Sequence, residues 1–372
     1  MRYLKPHHAQ LRHTKAEQVI RSRITITTQL LVAVLVGVGS GISGIPGLPS
    51  VHAAQLRQTT TQSPTEPTII TESTKVTLPE TSIAGPAYAG KAIAWTGTDV
   101  EHHINISLSS DGVHFTTKTV LPETSPYAPA IAPVVGIKTT LSYAIAWAGS
   151  DTKHSLNVQI IPGGKKLTLP ETSFAAPALD IGYDNGATLL LLAWTGTDAN
   201  HSLNVLPLTT VDAVTVTPGS KTTLPEFSSD AGPTLLANIY SKHDVWVLGW
   251  TTRTTQQLNL ATAADGVHFT GALGTGLPET SATAPTLLSP SGSDSCISWT
   301  GADPAHHLNV QCTTYAQFPQ FPDPARTKTV LPETALGTQG GAFGGNGPDS
   351  GLIAWTGTDP AHHLNVAVLQ WL

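Results

Sequence analysis

Charge is in short supply in this sequence. Charged residues are 12% of the 372, and between positions 74 and 372 the only arginines are Arg253 and Arg326. The first 53 residues carry Arg2, Lys5, Arg12, Lys15, Arg21 and Arg23 against Glu17, so the remainder holds 13 basic and 24 acidic side chains, a net charge near −11. A chain with that balance and no basic stripe is a poor binder of phosphate backbones, so no nucleic-acid partner is expected. Cysteine is limited to Cys296 and Cys312. The charged helix formers and Met are sparse as well, while Thr, Gly and Pro abound, a composition suited to strands and turns.

What is present is one phrase written six times. One half is Leu-Pro-Glu, usually followed by Thr, beginning at Leu78, Leu121, Leu169, Leu224, Leu277 and Leu331. The other is Trp-Thr-Gly-Thr-Asp-x-x-His-x-Leu-Asn-Val or a decayed copy, with its Trp at 95, 147, 194, 250, 299 and 355. The halves alternate strictly, and successive tryptophans are 52, 47, 56, 49 and 56 residues apart. A period of that size built from short β segments predicts an all-β fold, a six-bladed β-propeller.

The second repeat shows how a unit becomes a four-stranded blade. Residues 128–135 are apolar and end at Gly136-Ile137-Lys138; residues 141–147, 154–160 and 166–171 follow as strands, separated by turns at 148–153 and at Pro162-Gly163-Gly164. Asp111-Gly112, Pro218-Gly219 and Asp265-Gly266 mark the equivalent turn between strands three and four elsewhere. Residues 313–328 form a Phe- and Pro-rich insertion there in the fifth unit. The last unit stops after its third strand, residues 363–372, while residues 75–80 stand alone as a fourth strand. Together they complete one blade and close the ring without an open edge. The repeated Trp is expected in the core, with a sugar-stacking platform as the competing role; Trp246 and Trp371 lie off the motif.

Cys296 and Cys312 flank the fifth Trp motif symmetrically about Pro304, so a hairpin sets them opposite each other. A disulfide is expected, the alternative being two buried thiols. At the N-terminus a basic stretch ends at Arg23, an apolar core is densest over residues 30–38, and Val51-His52-Ala53 fits a small-residue cleavage site. Residues 1–53 are therefore read as a signal peptide, with an uncleaved N-terminal membrane anchor as the alternative. Residues 54–73 form a Thr/Ser/Pro-rich linker, and residues 74–372 the propeller. The protein is expected to be secreted and monomeric, touching a membrane only through its N-terminal segment.

In such blades the turns between strands two and three share one side of the ring with the links between blades. The turns pair Asp99 with His102, Asp151 with His154, Asp198 with His201, Asp303 with His306 and Asp359 with His362. The links bring Glu80, Glu123, Glu171, Glu279 and Glu333 to the same side. These are the candidate ligand-binding residues. Asp and Glu also suit turn capping, whereas a turn has no special need for imidazole. His102-His103, His306-His307 and His362-His363 are doubled, and strand alternation points the partners in opposite directions. The fourth unit reads Thr252-Arg253-Thr254-Thr255-Gln256-Gln257 and lacks both Asp and His. Asp-x-x-His supplies two ligands where a structural zinc site takes four, so no metal and no cofactor are expected. Six internal Leu-Pro-Glu copies, with no apolar span and basic tail behind them, do not make a sorting signal.

Leu108-Ser109-Ser110-Asp111-Gly112-Val113-His114-Phe115 and Ala264-Asp265-Gly266-Val267-His268-Phe269 resemble shortened Asp-box turns. With the Ala-Trp-Thr-Gly-Thr-Asp and Leu-Asn-Val phrases, residues 74–372 resemble the sialidase-like (BNR/Asp-box-like) repeat propellers of secreted bacterial proteins. The resemblance implies the propeller and raises the question of sialidase chemistry. Sialidases grip the substrate carboxylate with three arginines and use a Tyr–Glu nucleophile pair and an Asp acid/base. Three arginines cannot be assembled from Arg253 and Arg326. Other glycosidases need two carboxylates at a suitable separation, but nearly all of those here belong to the repeat. The expected function is a non-catalytic, lectin-like carbohydrate-binding module. The alternatives are a sialidase-like glycoside hydrolase and a scaffold that docks a protein through its face or its insertion.

Overall fold

The chain was analysed as a computed structural model, which divides into Met1–Ser63 and Pro64–Leu372. Residues 70–134, 142–184, 187–210, 212–238, 245–273, 277–281, 283–288, 294–314, 328–336, 342–345 and 350–371 are described. The signal segment, most of the linker, Arg326 and most of the 313–328 insertion lie outside them.

The alternation of short β segments and turns resolves into six antiparallel sheets in meander order. Blades 1 to 5 span residues 87–124, 130–172, 178–228, 234–273 and 286–334; blade 6 combines Ala342–Gly345, Ser350–Thr356 and His363–Trp371 with Ile70–Thr81. First strands of neighbouring blades touch all round, from blade 1 through blade 6 and back to blade 1. The ring is closed as expected: Ile70–Thr81 pairs with His363–Trp371, from Ile70 opposite Trp371 to Thr81 opposite His363. The closing strand starts at Ile70, inside the segment expected to be linker.

Blade 3 departs from the expected turn. Pro218 sits in a two-residue strand paired with Leu208, and Gly219 N–H bonds the Pro207 carbonyl at 2.8 Å. The turn between strands three and four is instead made at Asp212, whose carboxylate accepts the Val214 and Thr215 N–H groups, with Ala213 at φ 52°.

All six motif tryptophans are buried, none more than 2% exposed. Each sits on its second strand opposite the Asn of Leu-Asn-Val, as in Trp95–Asn105 and Trp355–Asn365. Each packs into the blade before it. Trp194 joins the Ala144, Leu156 and Val158 side chains of blade 2, and Trp355 joins Cys296, Leu308 and Val310 of blade 5. The Trp is thus the wedge between blades, and the core reading stands. The paired Asn spans the sheet. Asn157 Nδ2 donates to the Ser155 carbonyl at 2.8 Å, and its Oδ1 accepts the Thr168 hydroxyl of strand four at 2.7 Å.

Cys296 and Cys312 face each other across strands two and three of blade 5 and are disulfide-bonded. The bridge joins the cluster that holds Trp355, whereas Trp299 enters the cluster facing blade 4. The two residues occupy opposite faces of one strand, as their three-residue spacing requires.

Candidate functional site

The turn-and-link side of the ring is a continuous belt of hydrogen bonds. An N–H of each blade's outgoing link bonds the carbonyl of that blade's turn: Ser125 to His102, Ser173 to His154, Ser229 to His201, Ser281 to Gln256, Ala335 to His306 and Ser82 to His362. Three links also reach the next blade, where the Ile83, Phe174 and Leu336 N–H groups bond the Thr96, Thr195 and Thr356 carbonyls at 2.9 to 3.1 Å. The five link serines are wholly buried, and each hydroxyl accepts the N–H two residues on.

Within this belt the turn histidines do have a backbone reason to exist. His102, His154, His201, His306 and His362 all lie at φ between 52° and 59°, and Gln256 takes the same position at 54°. Histidine tolerates this left-handed region better than most side chains. The side chain that bonds each turn Asp is not that of the motif His. Asp99 Oδ1 bonds His103 Nδ1 at 2.8 Å, Asp303 bonds His307 at 2.9 Å and Asp359 bonds His363 at 2.8 Å. In blades 2 and 3 the serines at that position, Ser155 and Ser202, take the bond to Asp151 and Asp198. The positive φ at the preceding residue swings the chain so that the fourth residue after Asp, not the third, returns to its carboxylate.

Those carboxylates are structural caps. Asp99 accepts the Glu101 and His103 N–H groups, and Asp151 those of Lys153 and Ser155. Desolvation alone would raise these groups. The bonds they accept outweigh it and hold Asp99, Asp151, Asp198, Asp303 and Asp359 below the usual carboxylate range. The carboxylate folds over the motif glycine: a Cβ on Gly97 would lie 2.6 Å from Asp99 Oδ2 and 2.9 Å from Asn105 Nδ2. Blade 4, which lacks the Asp, has Thr252 where the others have Gly, and its hydroxyl accepts the Gln257 N–H at 3.1 Å.

The link glutamates serve the seams between blades. Glu123 bonds Lys166, Glu171 bonds Lys221, Glu279 bonds Lys328 and Glu333 bonds Lys75, each lysine belonging to the following blade. Two of those lysines also lie over a tryptophan, Lys75 on Trp355 and Lys328 on Trp299, both at 5.4 Å. Glu80 has no such partner among the described residues; Lys118 of blade 1 lies over Trp95 instead.

With the five turn Asp, four of the link Glu and the five link Ser committed to the frame, the imidazoles and rings of the face remain. His102, His154 and His306 place Nδ1 at 3.3, 3.2 and 3.4 Å from the carbonyls of Gly97, Gly149 and Gly301. A carbonyl only accepts, so Nδ1 carries the proton and Nε2 of the neutral ring is an acceptor. Tyr127 meets His154 edge-on at 5.6 Å, and Phe174 stacks on His201 at 3.9 Å.

One seam breaks the symmetry. His201 Nδ1 turns to Asp230 Oδ1 at 2.5 Å, and Arg253 Nε bonds the same oxygen at 2.9 Å. Phe174, Asp230 and Arg253 escape a reading confined to the repeated residues; the signal was the broken repeat itself, Leu-Pro-Glu-Phe at 224–227 and Arg253 in the decayed turn. Asp180 marks the same seam on the inner ring. As a residue it is partly exposed, yet its carboxyl bonds the Ala237 N–H of blade 4 at 2.7 Å. Desolvation raises this group to about 6, against the lowering effect of the Ala237 and Ile181 N–H bonds. Among the described residues no group of three or more His, Cys, Asp or Glu side chains is arranged to hold a metal ion.

No family model and no curated protein matches the chain. Solved structures do. A Dyadobacter fermentans protein of unknown function superposes with a TM-score of 0.58 at 14% identity, covering 81% of this chain and 99% of its own. An α-L-arabinanase from Penicillium chrysogenum complexed with arabinobiose gives 0.53 at 13% identity over 81% and 98% of the two chains. The Fusarium graminearum α-L-arabinofuranosidase bound to an iminosugar inhibitor gives 0.52 at 11% identity over 80% and 98%. At such identities the likeness speaks for architecture alone, and the architecture shared is that of a β-propeller.

Proposed function

We propose that the protein is a carbohydrate-binding propeller that works without catalysis, through the turn-and-link side of its ring. One observation carries this reading. Imidazole acceptors and aromatic rings are set side by side on that surface, while the repeated carboxylates beside them are saturated by their own turns. Sugars are held by a few directed hydrogen bonds and ring contacts, whereas glycoside hydrolysis calls on a carboxylic acid able to give up a proton. The imidazoles and rings supply the first arrangement, while the depressed turn carboxylates, already bonded to their own backbone, do not supply the second. Repeated turns also favour several weak sites, whose joint engagement raises avidity about 10²–10⁴-fold. The neighbours complexed with arabinobiose and an iminosugar keep saccharides in view as the ligand class. Export through residues 1–53 belongs to the same proposal, since a glycan-binding protein meets its ligands outside the cytoplasm.

A glycan array probed with the purified protein tests the reading. Binding to a defined sugar, competed by the free monosaccharide and weakened by combined His306→Gln and His362→Gln, supports it. A blank array at high protein concentration overturns it. Hydrolysis is the second reading, favoured by Asp180, whose carboxyl is raised to about 6. Turnover of a fluorogenic arabinofuranoside or sialoside, abolished by Asp180→Asn, would replace binding with catalysis.

A further inference from the structure

The seam between blades 3 and 4 differs from three others at both positions of a paired-threonine contact. At three seams the Thr of Leu-Pro-Glu-Thr bonds a Thr of the next blade's turn: Thr81 with Thr98, Thr172 with Thr197 and Thr334 with Thr358, at 2.6 to 2.7 Å. At the 3–4 seam the first partner is Phe227 and the second is Arg253. Phe227 is buried and packs on Trp250 at 4.6 Å. Arg253, with no hydroxyl to meet, reaches back over blade 3, where Nη1 donates to the Ala199 carbonyl at 2.8 Å and Nε to Asp230 Oδ1. Asp230 in turn fills a link position held elsewhere by Ile83, Pro126, Phe174 and Leu336.

The result is a compact set of unlike groups. Asp230 Oδ1 takes both His201 and Arg253, which leaves Oδ2 without a partner among the described residues; Arg253 Nη2 is likewise without one. Both side chains reach solvent, Asp230 at 51% and Arg253 at 38% exposure. Beside them Phe174, 39% exposed, is propped by His201 on one face. An acceptor, a planar donor and an apolar ring thus lie along one stretch of the surface, joined by a chain of contacts from Phe174, in the link between blades 2 and 3, through His201 and Asp230 to Arg253.

We infer that this seam is a single dominant binding site for a neutral sugar residue with two adjacent hydroxyls. One hydroxyl donates to Asp230 Oδ2, the neighbouring oxygen accepts from Arg253 Nη2, and the C–H face of the sugar lies against Phe174. The guanidinium charge is already met by Asp230, so an acidic sugar would bring its carboxylate against Asp230 Oδ2 and is disfavoured. The inference rests on the carbohydrate-binding reading and narrows it from a repeated face to one seam.

Affinity electrophoresis of the full-length protein through gels containing arabinan, galactan, mannan or polygalacturonate tests it. The expected result is retardation by at least one neutral polysaccharide and none by polygalacturonate. The association constant should fall about tenfold in Arg253→Thr, which restores the residue of Thr98, Thr197 and Thr358, and in Phe174→Ala. His268→Ala, on an exposed turn between strands three and four, should bind as wild type. Circular dichroism establishes which variants fold; if Arg253→Thr does not, Phe174→Ala and Asp230→Asn carry the test. Wild-type binding by the folded seam variants, with loss in the His306→Gln and His362→Gln pair, overturns the seam site and leaves the general reading standing. Retardation by polygalacturonate alone overturns the neutral-sugar assignment. No retardation in any gel, together with a blank array, removes the reading on which the site rests.

Discussion

At the scale of single residues, the repeat is a set of interlocking requirements. Gly357 must lack a Cβ because Asp359 Oδ2 would lie 2.8 Å from it and Asn365 Nδ2 2.9 Å. Gly357→Ala is expected to cost about 1–3 kcal/mol, and adding Asp359→Ala should return part of that loss, a coupling that urea denaturation of the two single variants and the double variant would measure. The capping role of these Asp residues was legible in the sequence, since Asp before a tight turn has few other uses. Their partners were not, because the left-handed backbone at His102 and its equivalents changes which neighbour returns to the carboxylate, and residue spacing carries no record of φ. Titration should separate the two kinds of carboxyl. Asp180 has a folded value raised to about 6, so lowering the pH from about 6 towards the ordinary Asp value of about 3.9 adds stability. The five turn carboxylates are depressed, so their contribution is complete above that ordinary value and is lost as the pH falls below it. The melting temperature is therefore expected to rise modestly between about pH 6 and 4 and to fall below about pH 4. Asp180→Asn should flatten the rise and leave the acid loss.

At the scale of the blade, alternation and turn chemistry made nearly every strand readable. The disulfide followed from the symmetry of Cys296 and Cys312 about their hairpin, and the Trp wedge from the apolar residues before it. Blade 3 resisted because Pro218-Gly219 is a strong turn signal, yet Asp212 caps the turn first and the Pro-Gly pair becomes a kink in an edge strand, where proline is tolerated. Trp194→Ala removes the wedge from blade 2 and is expected to cost about 3–5 kcal/mol, seen as a lower urea midpoint. Reduction of Cys296–Cys312 opens a hairpin with a separation of 16 residues. A loop of that length is worth about 3 kcal/mol, so added reductant should lower the unfolding midpoint in the wild type and have no effect on a Cys296→Ala, Cys312→Ala variant.

At the scale of the whole ring, stability is shared among six seams that are alike in apolar packing and unlike in charge. Among the described residues four carry a Lys–Glu bridge, and the 3–4 seam carries Arg253–Asp230 and the Asp180 clasp. Such exposed pairs are worth about 0–1 kcal/mol each, so Lys221→Met should shift the unfolding midpoint little and only at low salt. Closure was legible because the two orphan pieces at the ends of the repeat add up to one blade. The special seam was not, because a degenerate copy looks like lost information until the neighbouring residues that changed with it are seen in space. Closure also sets an order in time. Ile70–Thr81 is made before any blade exists, yet among the described residues its ladder partner is His363–Trp371, nearly three hundred positions later. During synthesis that strand must wait alone until the final segment arrives, and Lys75 and Pro79 give it the charge and the broken hydrogen-bonding edge that keep a waiting strand from pairing with the wrong neighbour.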